Sequence, residues 1–112
     1  MKQYLLGYDI GTSSIKASLV EVSGLGRAAS EYWPKEEAPI ISQKPGWAEQ
    51  EPQMWWDNLK AATRELFSKV EDPLAAKNIA AIGITYQMHG LVCLDKDRNV
   101  LRPSIIWCDS RA

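Results

Sequence analysis

Histidine occurs once in this chain of 112 residues, at position 89, and cysteine twice, at positions 93 and 108. A structural zinc site needs several His and Cys ligands at fixed offsets, and no Cys-x-x-Cys pair is present, so none is expected. Two cysteines cannot build a disulfide scaffold either. Both lie in apolar, strand-like runs and are expected to behave as small buried hydrophobes in a reducing compartment. Charge of one sign is also scarce: 13 Lys and Arg stand against 14 Asp and Glu, a formal net charge of -1 without a long block of either. The clustered positive charge that a nucleic-acid partner requires is missing. No apolar run approaches the roughly 18 to 20 residues that cross a bilayer. Tyr8-Asp9 interrupts the segment after Lys2 before the apolar centre of a signal peptide can form. Repeats and low-complexity stretches are absent, and a cytoplasmic protein with neither nucleic-acid nor membrane partners is expected.

What is present suits one modest globular core. The chain is 46% hydrophobic and 24% charged, near the average for folded domains, and a compact chain of this mass would expose about 6,200 Å². Tyr4 to Ile10 reads as a strand ending in the polar turn Gly11-Thr12-Ser13-Ser14. Ile15 to Val22 alternates apolar and polar residues as a half-buried strand does. A third strand follows from Arg27 to Trp33 after the short turn Ser23 to Gly26, so an antiparallel three-strand meander opens the chain. Residues 34 to 51 carry turn chemistry without periodicity and read as a long loop. Pro52 then starts a helix to Val70, with the stripe Trp55, Leu59, Ala62, Leu66 and Val70 facing a sheet and Glu51 as a weak cap. Asp72-Pro73 opens a short helical stretch that stops near Asn78. Ile79 to Thr85 is a nearly continuous apolar run, expected as a strand buried on both faces. Leu91 to Asp95 and Val100 to Cys108, the latter broken by Pro103, read as a strand and its return. The fold class is therefore α/β or α+β.

Three segments carry candidate chemistry. Asp9 to Lys16 offers backbone N–H groups, small hydroxyls, one carboxylate and one lysine, the inventory that holds a polyphosphate with its Mg²⁺. It is not a Walker A loop, which needs four residues between its glycines where Gly7 and Gly11 enclose three. Taken alone, the segment is equally an ordinary hairpin turn, in which Gly, Thr and Ser serve conformation. Gln87-Met88-His89-Gly90 follows a buried-type strand, where open α/β sheets present ligand contacts; a loop histidine with a satisfied hydrogen bond is the plainer alternative. In Trp107-Cys108-Asp109-Ser110-Arg111, Trp107 offers either a flat apolar face to a sugar or a core side chain, and Asp109 either a hydroxyl contact or an ion pair with Arg111.

The order of these motifs is more specific than any one of them. Asp9-Ile10-Gly11-Thr12-Ser13-Ser14, then Gly46-Trp47-Ala48-Glu49-Gln50-Glu51-Pro52 before Trp55-Trp56, then Gln87-Met88-His89-Gly90, then Arg102-Pro103 and Trp107-Cys108-Asp109-Ser110-Arg111, resemble the amino-terminal part of the FGGY carbohydrate kinases along essentially the whole chain. The resemblance implies a partial ribonuclease H-like, actin-like ATPase domain with a mixed sheet, residues 1–112 forming the first part of the first kinase domain. It implies ATP and Mg²⁺ as cofactors. Carried over by position, Asp9 would orient the Mg²⁺ through its water shell, and Gly11, Thr12, Ser13, Ser14 and Lys16 would lie at the nucleotide phosphates. Met88, His89, Trp107 and Asp109 would line the sugar site. Met88-His89 looks like the ketopentose branch of the family, whose product would be D-xylulose 5-phosphate, and departs from the Arg-Glu pair of glycerol-specific relatives. Lys16 stands where some relatives use Arg.

The family's general base, an Asp in a later Gly-Gly-Asp segment, lies beyond what this chain reaches. An isolated chain of this length is therefore expected to be inactive, and to self-associate through apolar surface left uncovered. Two other functions fit the residues less fully: a kinase of the same family acting on another sugar or polyol, and a small non-catalytic module that binds nucleotide or a partner.

Overall fold

The computed structural model describes residues 2–24 and 26–112. Strands β1 (Tyr4–Ile10) and β2 (Ile15–Glu21) pair antiparallel from Tyr4 opposite Glu21 to Ile10 opposite Ile15. The period of two then puts Tyr4, Leu6 and Tyr8 of β1 and Ile15, Ala17 and Leu19 of β2 on one buried face. β3 (Arg27–Trp33) pairs antiparallel with β2, completing the meander expected from the sequence. The turn between them includes Leu25, which lies outside the described residues. β4 is the two-residue Glu49–Gln50, α1 runs Pro52–Ser68, a single 3₁₀ turn covers Ala75–Asn78, β5 spans Ile79–Tyr86, and β6 is Ser104–Ile105. β5 pairs parallel to β1, so the main sheet is mixed with the order β3-β2-β1-β5; β4 and β6 form a separate small pair.

Helix α1 forms where the apolar stripe and Pro52 predict, and Glu51 makes no side-chain cap bond. Ala62 and Leu66 are fully buried in one cluster with the inward residues of β1 and β2, with Trp55 and Leu59 packed beside them and Val70 just past the helix end. Burial of a leucine such as Leu66 stabilises by roughly 1.5 to 3 kcal/mol. Two polar anchors hold the helix side of β1. The Tyr8 hydroxyl donates to Thr63 Oγ1 over 2.6 Å, because the Thr63 proton is already given to the Leu59 carbonyl. Tyr4 donates to Asp72 at 2.9 Å, and Asp72 also caps the chain at Leu74 N.

Three expectations fail, each for a tertiary reason. β5 is not buried on both faces: Ile82, Ile84 and Tyr86 are 58, 59 and 72% exposed, because α1 packs over β2 and β3 and leaves β5 bare. The strands expected at 91–95 and 100–108 shrink to the bridges Leu91–Ile105 and Leu94–Val100 plus β6. Asp95 draws the intervening residues into a turn, accepting from Asp97 N and Asn99 N, and Pro103 cannot continue a ladder. With that strand gone, Cys108 is exposed and Cys93 half-buried, both as free thiols, not buried hydrophobes. The open β5 and the 91–108 arm give a surface of 7598 Å², above the value of about 6,200 Å² for a compact chain of this mass. The radius of gyration of 16.4 Å likewise exceeds the value of about 13 Å for a compact domain of this length.

Gln50 carries more polar contacts than any sequence signal foretold. Completely buried, its amide nitrogen donates to the carbonyls of Thr12 (2.7 Å) and Pro39 (3.2 Å), and its amide oxygen accepts from Trp55 Nε1 (2.9 Å). One side chain thus joins the first turn, the long loop and the helix. Glu31 on β3 plays a similar part at the other end. It is 8% exposed and meets Lys35 at 2.6 Å and Lys69 just beyond α1. Hydrogen bonds from Lys35 and then Lys69 lower its pKa from the ordinary 4.5 to about 2.

Two outcomes are expected. Gln50→Met leaves buried partners unpaired, at roughly 1 to 3 kcal/mol, and should lower the thermal midpoint by several degrees; an unchanged melt would remove Gln50 as the tie. Because the folded pKa of Glu31 is depressed, its contribution is whole above about pH 4.5 and is lost as pH falls toward about 2. Thermal melts of Glu31→Gln should therefore lose less stability than the parent across that window, and parallel slopes would show that the ion triad contributes nothing.

Candidate active site

Parallel pairing of β1 with β5 sends the carboxyl ends of both strands to the same edge of the sheet, with Ile10 abreast of Tyr86. The Gln87 backbone N–H donates to the Ile10 carbonyl at 3.0 Å, extending the ladder one step past β5. The turn after β1 and the loop after β5 therefore leave side by side, the position at which open α/β sheets gather ligands.

The first turn is held from inside. Gly11 N donates to the Ser14 carbonyl at 3.1 Å, so closely that a Cβ on Gly11 would stand 3.2 Å from that oxygen. The Thr12 carbonyl is taken by Gln50 and the Ser13 carbonyl by Ala38 N at 2.8 Å. With these carbonyls drawn inward, Asp9, Ser13 and Lys16 remain exposed. Asp9 lies opposite Lys16 across β1–β2 and abreast of Thr85 across β1–β5, on the face away from α1. A carboxylate, hydroxyls and an ammonium on one open ledge match a polyphosphate and its counter-cation. Among the described residues no group of three or more His, Cys, Asp or Glu can cage a metal. A single carboxylate fits Mg²⁺, which keeps most of its waters and is usually held by one or two carboxylates together with substrate phosphates.

The second segment lies beside this ledge. His89 is exposed and adopts φ 62°, left-handed backbone that is uncommon outside glycine and is found disproportionately at functional sites. A hollow of about 300 Å³ is lined by Ile10, Trp55, Tyr86, Gln87, His89 and Val92, with Gly90. A second, of about 310 Å³, lies between Gln87, Met88 and Trp107. Trp107 is 55% exposed and Met88 65%, so Trp107 is not a core residue and presents its ring to open space. The third segment is brought there by Leu91 N donating to the Ile105 carbonyl at 2.9 Å and by Ile106 N donating to Ala48 O at 3.1 Å.

Asp109 is spent internally. Its carboxylate accepts from Ala48 N (2.7 Å), Arg111 N (2.9 Å) and the Arg111 guanidinium, and its side chain is 3% exposed. The Arg111 side chain first, then the backbone N–H groups of Arg111 and Ala48, hold its carboxyl well below the usual range. Arg111 also meets the buried Glu49 at 3.2 Å and stacks 3.8 Å from the Trp47 ring centre. Of the two readings open for Asp109, this geometry is the ion pair, enclosed and not on the surface. Gly46 closes the same joint: at φ 80° a Cβ there would stand 2.6 Å from Ser110 Oγ. Trp55, Tyr86, Gln87 and Val92 are lining residues to which the sequence assigned no role of their own. Trp55 was legible only as part of the helix stripe, and Gln87 only as a neighbour of Met88-His89.

The sequence model of the FGGY family of carbohydrate kinases, N-terminal domain, matches residues 4–112. The chain is 40% identical over 109 residues to the xylulose kinase of Bacillus subtilis, covering 97% of this chain and 21% of that protein. Among solved structures, a protein titled xyloylose kinase from Brucella ovis superposes with a TM-score of 0.85 at 34% identity over 97% of this chain and 22% of that one. A gluconate kinase from Lactobacillus acidophilus superposes with a TM-score of 0.80 at 32% identity over 97% of this chain and 20% of that one. The chain thus spans about a fifth of the length of the relatives it matches, and its mixed sheet is that of sugar kinases with the actin-like ATPase fold. No helix among the described residues is long and apolar enough to cross a membrane. With the ledge and the two hollows at one sheet edge and the family model matched almost end to end, this chain belongs to the FGGY family of carbohydrate kinases.

Proposed function

We propose that these residues form the nucleotide-phosphate and sugar walls of an ATP-dependent kinase that phosphorylates a ketopentose, D-xylulose at its primary hydroxyl. The observation that supports it most is the convergence of the Asp9–Lys16 ledge with Met88, His89 and Trp107 at the carboxyl ends of two parallel strands. MgATP supplies the phosphoryl group to be transferred. Phosphoryl transfer depends on positioning and charge neutralisation more than on covalent work by the protein. In this reading Asp9 holds the hydrated cation, the turn from Gly11 to Ser14 and the Lys16 ammonium face the phosphates, and the inward ties from Gln50 and Ala38 keep that turn rigid. Met88 and Trp107 offer apolar walls to the C–H faces of the sugar, and His89 a polar contact to a hydroxyl. Asp109 acts through position: its grip on Ala48 N and Arg111 fixes the segment that carries Trp107.

The likeness to a gluconate kinase favours a second reading, in which the same ledge serves another polyhydroxy acceptor. A chain of the relatives' full length, assayed for ADP release with MgATP, decides between them. D-xylulose should be preferred over D-ribulose, L-ribulose, L-fuculose, glycerol and gluconate. Preference for another of these would keep the kinase and change the acceptor, and no turnover with any would return the first turn to an ordinary hairpin. In the same chain Asp9→Asn should lower kcat by about 100-fold or more, the scale for losing one preorganised electrostatic partner, with the thermal midpoint unchanged because Asp9 is exposed. His89→Asn, a residue that tolerates the left-handed backbone, should lower kcat/KM for the sugar roughly 10-fold while KM for ATP stays fixed; equal effects on both substrates would displace His89 from the sugar wall.

A further inference from the structure

Two arginines stand at the ends of the arm that carries Trp107, and both reach the same carboxylate. Arg102 Nη2 donates to Glu49 Oε2 at 2.5 Å, and Arg111 Nη2 stands 3.2 Å from the same oxygen. The Glu49 side chain is 4% exposed, so its charge is met by these guanidiniums and not by water. Asp109 extends the set through its ion pair with Arg111, and two carboxylates then balance two guanidiniums within one joint. β4 consists only of Glu49 and Gln50, and the period of two sends neighbouring side chains of a strand to opposite faces. Gln50 accordingly reaches the Thr12 carbonyl and Trp55, while Glu49 reaches the arm from Arg102 to Arg111. Backbone bonds hold this arm from Ser104 to Ile106, where β6 pairs with β4 and Ile106 N meets the Ala48 carbonyl. Trp107 is the next residue, half-exposed and lining a hollow with Met88 and Gln87. Desolvation offsets much of the attraction in an enclosed ion pair, and apolar residues of similar volume often stabilise such a joint as well. What the charges add here is a fixed closure of the arm on both sides of Trp107.

We infer that Glu49 is a positioning residue of the sugar wall: by drawing Arg102 and Arg111 to one oxygen it closes the arm between them and sets where the Trp107 ring stands against the acceptor. This rests on the ketose kinase reading above and deepens it. Glu49 is enclosed and touches neither sugar nor nucleotide, so it acts through Trp107. A misplacement of about 1 Å in a positioning element can lower turnover by about 100-fold. Because Gln50 ties the phosphate turn from the other face of β4, loosening the grip of Glu49 reaches the sugar side and spares the nucleotide side.

The test uses the full-length parent with MgATP and D-xylulose. Arg102 is 44% exposed, so Arg102→Met opens one end of the arm without emptying a core. It should lower kcat/KM for the sugar roughly 10-fold while KM for ATP stays fixed. Glu49→Gln, which releases both arginines, should lower it further. Arg102→Lys keeps a charged donor and should return the value to within about threefold of the parent. In a Trp107→Ala background, Arg102→Met should add less than about a twofold loss, because the ring to be positioned is gone. Equal losses in both backgrounds, or equal effects on both substrates, overturn the inference and assign the joint to general stability. A readout independent of turnover covers a variant that folds poorly and a parent that accepts another sugar. In the parent labelled with 5-fluorotryptophan, the Trp107 fluorine resonance, identified by its loss in Trp107→Phe, should shift or broaden in Arg102→Met. An unmoved resonance overturns the inference whatever the kinetics. If the parent phosphorylates no sugar, the kinase reading fails, and the fluorine resonance still decides whether Glu49 and Arg102 position Trp107.

Discussion

The Gln50 amide, buried between three stretches of chain that are far apart in sequence, is the contact on which the candidate site depends. The Thr12 carbonyl, the Pro39 carbonyl and the Trp55 indole N–H each end on it. A turn such as Gly11 to Ser14 presents fixed groups to a ligand only if its carbonyls are held elsewhere, because a free turn exchanges conformers. Gln50 takes one of those carbonyls and Ala38 N the next. The same side chain fixes Trp55, whose ring lines the hollow beside His89. Ledge and hollow therefore share one internal tie, and neither can move freely of the other.

Parallel pairing of β1 with β5 supplies the second constraint. It places Asp9 abreast of Thr85, and Gln87 within hydrogen-bonding reach of Ile10, across more than seventy residues of sequence. A parallel pair needs a crossover, and here α1 with the 3₁₀ turn provides it. The helix lies over β2 and β3, and β5 stays bare with Ile82, Ile84 and Tyr86 outward. That exposed apolar strand, together with the 91–108 arm, accounts for the large surface.

Two aspartates show how surroundings assign roles to the same side chain. Asp109 is ringed by the Arg111 guanidinium and two backbone N–H groups, which saturate its oxygens and hold its proton affinity down. A carboxylate so occupied locks a joint. Asp9 stands exposed at a strand end beside a lysine and a threonine across the ladders, on the face away from α1.

Local pattern was enough for the opening meander, the helix from Pro52 and the strand at Ile79, because periods of two and 3.6 and the positions of Gly and Pro are properties of neighbouring residues. The order of short motifs was enough for the family, and the segments it singled out, Asp9 to Lys16 and Met88-His89, are ones that parallel pairing of β1 and β5 brings to the same end of the sheet. What the chain could not state locally was decided by packing. Exposure of β5 depends on where α1 comes to rest, not on the apolar run itself. The 91–108 region looked like two strands because its residues favour extended backbone, but long ladders need a continuous partner, and Asp95 and Pro103 break it into bridges and a two-residue strand. Burial of Gln50 and occupation of Asp109 are matters of which atoms meet across tens of residues. A glutamine between two glutamates carries no sign of that in its sequence, since a hydrogen bond to a distant carbonyl exists only once the sheet has closed.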